Sequence, residues 1–185
     1  MPRATQEQSE LTALRLRDVA RGLFAEFGFA AVSVEQIAEG AGVTRGAVYH
    51  HFAGKHGLFE AVLADAHQRI GAAVAEAAPG EGWDAIVSGS LAFLRAASDP
   101  ALRRIVLVDG PAVVGWEVWR ESDAENSARL LAEGLAELDD LSVDPAAAGA
   151  LLSGAMNEAA LWIAGGGHPQ LAEQALVKMI AALRS

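Results

Sequence analysis

Apolar residues recur along this chain at steps of three and four, the spacing of one face of an α-helix. Leu16, Val19, Ala20, Leu23, Phe24 and Phe27 make the first such face, and Gly28 ends it. Ser33, with Gln36 three residues on, forms a capping box before a short helix whose Val34, Ile37, Ala38 and Ala41 turn inward, and which stops at Gly42. Thr44 stands where it can cap a second short helix reaching about Phe52. After Ala53-Gly54, a long helix opens at Lys55, carries Phe59, Val62, Leu63, Ala66, Ile70 and Val74 on one face, and ends before Pro79-Gly80. Further helices are predicted over 83–97, 101–108, 113–138, 145–164 and 169–183. Asp99-Pro100, Asp109-Gly110-Pro111 and Gly165-Gly166-Gly167 supply breaks between them. No alternating pattern marks a strand pair, and the alanine-rich stretches keep helical periodicity, so the predicted class is all-α.

The two short helices have the spacing of a helix-turn-helix. VEQIAEGAGVTRGAVYHHFA, Val34 to Ala53, places a small residue, Ala38, where two helices cross closely. Gly42 follows at the turn, which needs positive φ, and Val48 is the apolar anchor of the second helix. Its other face offers Arg45, Gly46, Tyr49 and His50. Arginine pairs with guanine edges in a major groove, and Gly46 lets backbone come close. Tyr49 and His50, with Thr44 and Lys55 at the helix borders, are donors to phosphate oxygens.

Charge sharpens this reading. The chain has 185 residues and a formal net charge of -10, yet residues 1–55 carry six cations and six acids. The whole acidic excess lies after Lys55, so a polyanion would have to meet the first 55 residues, and a domain boundary is expected there. Hydrophobic content of 52% supplies a core. With no cysteine, disulfides and thiolate metal sites are excluded. The polar start MPRATQEQSE is not a secretory leader, and charges or glycines interrupt every apolar run before it reaches membrane-spanning length. A cytoplasmic protein is the expectation.

ARGLFAEFGFAAVSVEQIAEGAGVTRGAVYHHFAGKHGLFEAVL, Ala20 to Leu63, resembles the N-terminal region of the TetR family of bacterial transcriptional repressors. The resemblance runs from about Leu16 to Leu63 and rests on LF-x-E-x-GF, S-V-x-x-IA-x-x-AGV, G-x-V-Y-x-HF and K-x-x-L-x-x-AV together. It implies a three-helix helix-turn-helix domain, residues 1–55, followed by a larger helical effector-binding and dimerisation domain, residues 56–185. It also implies DNA contacts at Thr44, Arg45, Gly46, Tyr49, His50 and Lys55, a phosphate contact at Ser33, and a packing role for Phe52 beside His51. The family often places a polar residue before the lysine of the fourth helix; Gly54 here is a weaker cap, so a looser angle is expected at that junction.

Trp83, Phe93, Trp116, Trp119, Met156 and Trp162 are candidates to line an apolar effector pocket, with Asn157 as its polar contact. Each large residue is also at home in an ordinary core, and Asn157 on an ordinary surface. The last two predicted helices have apolar faces broadened by alanine and glycine, which suits close packing with a second copy. His50, His51, His56 and His67 lie near one another, but adjacent histidines diverge on a helix and no well-spaced carboxylate joins them, so no metal or cofactor is expected. Enzyme motifs are absent. The combined expectation is a homodimeric repressor of palindromic operator DNA, released by a small apolar or aromatic ligand. The alternative is a helical interaction module that has lost DNA binding.

Overall fold

The computed structural model describes residues 2–185, with side-chain surroundings from Gln6 onward, and these residues are all-α. Helix α1 spans Pro2–Phe27, α2 Val34–Gly40, α3 Arg45–Phe52 and α4 Lys55–Ala77. Then follow α5 Gly82–Ser98, α6 Pro100–Arg103, a π-helical turn Arg104–Asp109 and α7 Gly110–Val114. The chain closes with α8 Trp116–Ala124, α9 Ser127–Ala136, α10 Pro145–Ala164 and α11 Pro169–Ala181.

Helix α1 begins well before Leu16. From Gln6 to Arg15 no residue is buried, so no periodicity could reveal this stretch; good helix formers carry it, with Gln6 donating to Glu10 at 3.2 Å. Leu16, Ala20 and Phe24 then sink completely into the core. Phe24, Phe29 and Phe59 meet edge-on or tilted, with centroids 5.1–5.8 Å apart, and join α1 to α4. Buried residues form one continuous core from Leu16 to Ile180, with α4 running through it.

The middle of the chain departs from expectation. Asp109-Gly110-Pro111 does not stop the helical path: the turn widens to a π-helix and continues into α7. Widening lets three consecutive residues, Ile105, Val106 and Leu107, all be buried, which one stripe of an α-helix would not allow. It also frees the Val106 carbonyl to accept the Trp119 indole N–H at 2.7 Å. Gly110 is needed there, because a Cβ would lie 3.0 Å from both the Ile105 oxygen and Trp119 Cδ1. The single helix predicted over 113–138 is three. Gly115, at φ 84°, turns the chain between α7 and α8, and Asn126, at φ -120° and ψ -113°, separates α8 from α9.

Candidate nucleic-acid interface and effector cavity

Helices α2 and α3 are locked as the spacing requires. Ser33 Oγ accepts the Gln36 amide at 3.2 Å, and the Gln36 side chain accepts the Ser33 amide at 2.8 Å. Gly42 takes φ 66° at the turn, and the Val43 amide donates to the Ala38 carbonyl at 2.9 Å. Val48 is fully buried, which fixes the roll of α3 and turns Thr44, Arg45, Gly46, Tyr49 and His50 outward. Thr44 makes no capping bond with its side chain, so its hydroxyl is free for an anion. Ser33, half-exposed, keeps its hydroxyl proton available. Arg45 pairs with Glu35 at 2.7 Å, but both side chains are more than half exposed, so the pair contributes only about 0–1 kcal/mol and opens readily to a base. The Tyr49 ring lies against Gly54, where a Cβ would stand 3.2 Å from Cε1.

Lys55 has partners within the chain that its place at the helix border did not predict. Its ammonium donates to the carbonyls of Phe29 and Val32, each at 2.9 Å, and sits 4.2 Å from the Phe29 ring centroid. Two of its three protons therefore tie the α1–α2 loop to the start of α4. Gly57 adds a second constraint at the junction where Gly54 is the cap, since a Cβ on it would collide with the Phe52 carbonyl oxygen. The tie and this close backbone approach set how α4 leaves α3.

The same loop is gripped from the other side. Arg104 donates to the carbonyls of Glu26 and Phe27 at the end of α1, both at 3.3 Å. Asp109 accepts the Phe29 amide at 2.8 Å, and His56 Nε2 lies 3.0 Å from the Val113 carbonyl. The two ends of the π-helical turn thus hold the end of α1, through Arg104, and the α1–α2 loop, through Asp109.

Beyond this clamp, α4, α5, α9 and α10 enclose a cavity of about 210 Å³. Val74 and Ala75 of α4, Ile86 and Phe93 of α5, Leu131 of α9 and Met156 of α10 give it an apolar interior. Ser90, Ser127 and Ser153 add hydroxyls, and Glu81, Glu133 and Glu137 stand exposed on its lining. Ser127 donates to Asp123 at 3.2 Å, and Asp123 faces His67 of α4 at 3.9 Å. Burial pushes the His67 pKa below its ordinary value, with Asp123 opposing the shift, and Nε2 of the ring has no hydrogen-bond partner.

Of the residues expected at a pocket, Phe93 and Met156 reach this cavity and the others do not. Trp83 donates to Asp140 at 2.7 Å, and that bond, with Arg184 beside it, holds the Asp140 carboxyl below its ordinary pKa. Trp119 is buried against the π-helical turn, and Trp116, 62% exposed, stacks on it at 5.0 Å. Trp162 lies on the outer face of α10 against Gly167, while Asn157 is half-buried away from the cavity. Large aromatics fill space, whereas a cavity needs missing volume. Its signal in the sequence is the run of small residues Gly82, Ala85 and Gly89 on α5 facing Ala75 on α4 and Ala78 just after it.

Among the described residues no group of three or more His, Asp or Glu side chains is placed to hold a metal ion, and no helix is long and apolar enough to cross a membrane.

Residues 83–185 match the family model of the tetracyclin repressor-like C-terminal domain, and residues 16–62 match that of the bacterial regulatory proteins of the tetR family. The chain belongs to the TetR family. This TetR-family chain is 32% identical to a TetR-family transcriptional regulator of known structure from Pectobacterium atrosepticum, with 96% of this chain and 94% of that one covered at a TM-score of 0.69. NalD of Pseudomonas aeruginosa, the secondary repressor of the MexAB-OprM multidrug efflux pump, shares the fold at 23% identity and a TM-score of 0.66, covering 96% of this chain and 98% of NalD. The transcriptional regulator AcrR of Shigella flexneri is 39% identical over 71 residues, 38% of this chain and 33% of AcrR. SrpR of Pseudomonas putida is 47% identical over 64 residues, 35% of this chain and 30% of SrpR. The TetR-family chain therefore spans about a third of the length of these two curated relatives.

Proposed function

We propose that this chain is a ligand-responsive transcriptional repressor that binds palindromic operator DNA as a homodimer. The observation that carries the reading is the exposed face of α3, where Arg45, Tyr49 and His50 project opposite a fully buried Val48. Arg45 reads base edges, Gly46 allows close approach, and Tyr49, His50, Thr44 and Ser33 hold phosphates. Lys55 acts as a positioning residue through its two carbonyl bonds. Residues 1–55 read DNA, and residues 56–185 bind the effector and dimerise.

Helices α10 and α11 carry the homodimer contact. Leu151 (74% exposed) and Trp162 on α10, and Leu171 and Met179 on α11, leave apolar side chains uncovered on the outer faces of these helices. A two-fold pair of readers doubles the contacts that one short helix can make.

Effector binding in the cavity reaches the reader by two routes. Helix α4 lines the cavity with Val74 and Ala75, and about 30 Å away along its axis its first turn sits under α3. Helix α5, also on the cavity, leads into the π-helical turn that clamps the α1–α2 loop. An effector that prefers one arrangement of α4 and α5 shifts the spacing of the two readers, and a preference of a few kcal/mol suffices.

The test is salt-titrated binding to a promoter fragment. Arg45→Ala is expected to cost about 1–3 kcal/mol of specific binding and to relax specificity. Unchanged specific affinity in both Arg45→Ala and Tyr49→Phe would remove α3 as the reader. A flat salt dependence would favour an interaction module without DNA binding.

A further inference from the structure

The helix-turn-helix is short of free cations. Of the four lysines and arginines from Leu16 to Lys55, three have partners within the chain. Arg21 lies 3.2 Å from Asp18 and 3.4 Å from Asp65, and Lys55 donates to two carbonyls. Arg45 is the single lysine or arginine on α2 and α3, and its Nη1 lies 2.7 Å from Oε1 of Glu35. We propose that Glu35 is a specificity-determining residue, which withholds Arg45 from phosphates and presents it to a base edge. This inference rests on the reading of α3 as the helix that meets DNA.

The scaffold places the two side chains together. Glu35 is the second residue of α2, in the turn that the Ser33–Gln36 capping box fixes. Arg45 is the first residue of α3. The two helices are held at one angle by the buried Val48 and by the Val43 amide on the Ala38 carbonyl at 2.9 Å. Carboxylate and guanidinium thus start from backbones that do not move apart, and the pair joins the first turns of both helices.

A carboxylate partner changes what an arginine prefers. A free arginine on this face would take a phosphate on any sequence, which adds affinity without information. With Glu35 beside it the cationic charge is already balanced, and the carboxylate itself repels a phosphate, so that attraction is largely lost. Guanine O6 and N7 are neutral acceptors, and what they require is the direction of N–H groups. A guanidinium carries five donors in a planar fork, so contact at Nη1 leaves enough of them to bond both acceptors. The pair need not break for this, and holding the guanidinium in one place lowers the entropy cost of the base contact. Glu35 therefore subtracts from binding to all DNA while sparing the base contact.

The experiment uses the full-length protein and two duplexes: the sequence it enriches most from a random pool, and a shuffle of that sequence with the same composition. Affinity for each is measured across a range of salt. In Glu35→Gln the ratio of the two affinities should fall about three- to fivefold. On the shuffled duplex the slope of log affinity against log salt should steepen by about 0.9, as Arg45 gains a phosphate. In the Arg45→Ala background the same substitution should change neither the ratio nor the slope. A ratio unchanged in Glu35→Gln, or one that falls equally in the Arg45→Ala background, overturns the role of Glu35 and leaves α3 as the helix that meets DNA. Equal binding of the two duplexes by the unsubstituted protein overturns both the role of Glu35 and the reading it rests on.

Discussion

Lys55 gives the sharpest contrast between two physical roles. As a phosphate contact it would contribute to DNA affinity and little to folding. The structure instead gives its ammonium two carbonyls at 2.9 Å and an aromatic face at 4.2 Å, in a half-buried setting. Hydrogen bonds from a charged group contribute about 1.5–3 kcal/mol each. Taking the low end for this half-buried site, adding about 0.5 kcal/mol for the ring, and allowing the freed carbonyls to find some water leaves about 2–3 kcal/mol. For a chain of this size that lowers the melting temperature by about 4–12 °C. Lys55→Met keeps the aliphatic stem and removes only the ammonium. The assay is paired: thermal unfolding, and the slope of log affinity against log salt on one DNA fragment. The expected result is a melting temperature lower by that amount and a slope unchanged within error. A slope smaller by about 0.9 with an unchanged melting temperature would refute the positioning role and make Lys55 a phosphate contact.

Other positions carry their own tests. Gly57→Ala forces a Cβ towards the Phe52 carbonyl and should destabilise by about 1–3 kcal/mol in urea unfolding; a neutral result would mean that α3 and α4 separate freely. The His67 pKa is lowered in the fold chiefly by burial, so the unfolded chain binds its proton first as pH falls. The stability contributed by neutral His67 is therefore complete above about pH 6.5 and is lost as pH drops towards the lower folded value. His67→Phe should flatten the change in urea midpoint between pH 7.5 and 5.5, and an unaltered slope would assign that change to other groups. Trp83→Phe removes the indole donor to Asp140, so the Asp140 carboxyl should titrate higher by NMR; no movement would leave Arg184 as the dominant partner.

Much of the helix-turn-helix was legible because its determinants are local. A capping box, a positive-φ glycine and one buried anchor fix α2 and α3 with few distant contacts, and Ser33, Gly42 and Val48 each announce one of these. Helix α10 was legible from end to end because Pro145 opens it, a glycine run closes it and Asp144 caps it. The internal bonds of Lys55 were not legible for the opposite reason: its partners, Phe29 and Val32, are backbone carbonyls more than twenty residues away, which no side-chain pattern encodes. The π-helical turn was hidden because Asp-Gly-Pro reads as a stop, while the burial of Ile105 to Leu107 depends on packing against α1, α4 and Trp119. The cavity was not legible from the large residues, because its walls are recognised by small ones, Gly89 above all, whose Cβ would press on Val74 and Ala78.

The measurement closest to the central claim is selection of duplex DNA from a random pool by the full-length protein, followed by footprinting on the enriched sequence. The expected result is an inverted repeat with half-sites one helical turn or a multiple apart, bound by two chains, with guanine preference lost in Arg45→Ala. Enrichment of no motif, or of a motif indifferent to Arg45→Ala and Tyr49→Phe, would contradict the assignment of α3 as the surface through which this chain reads DNA.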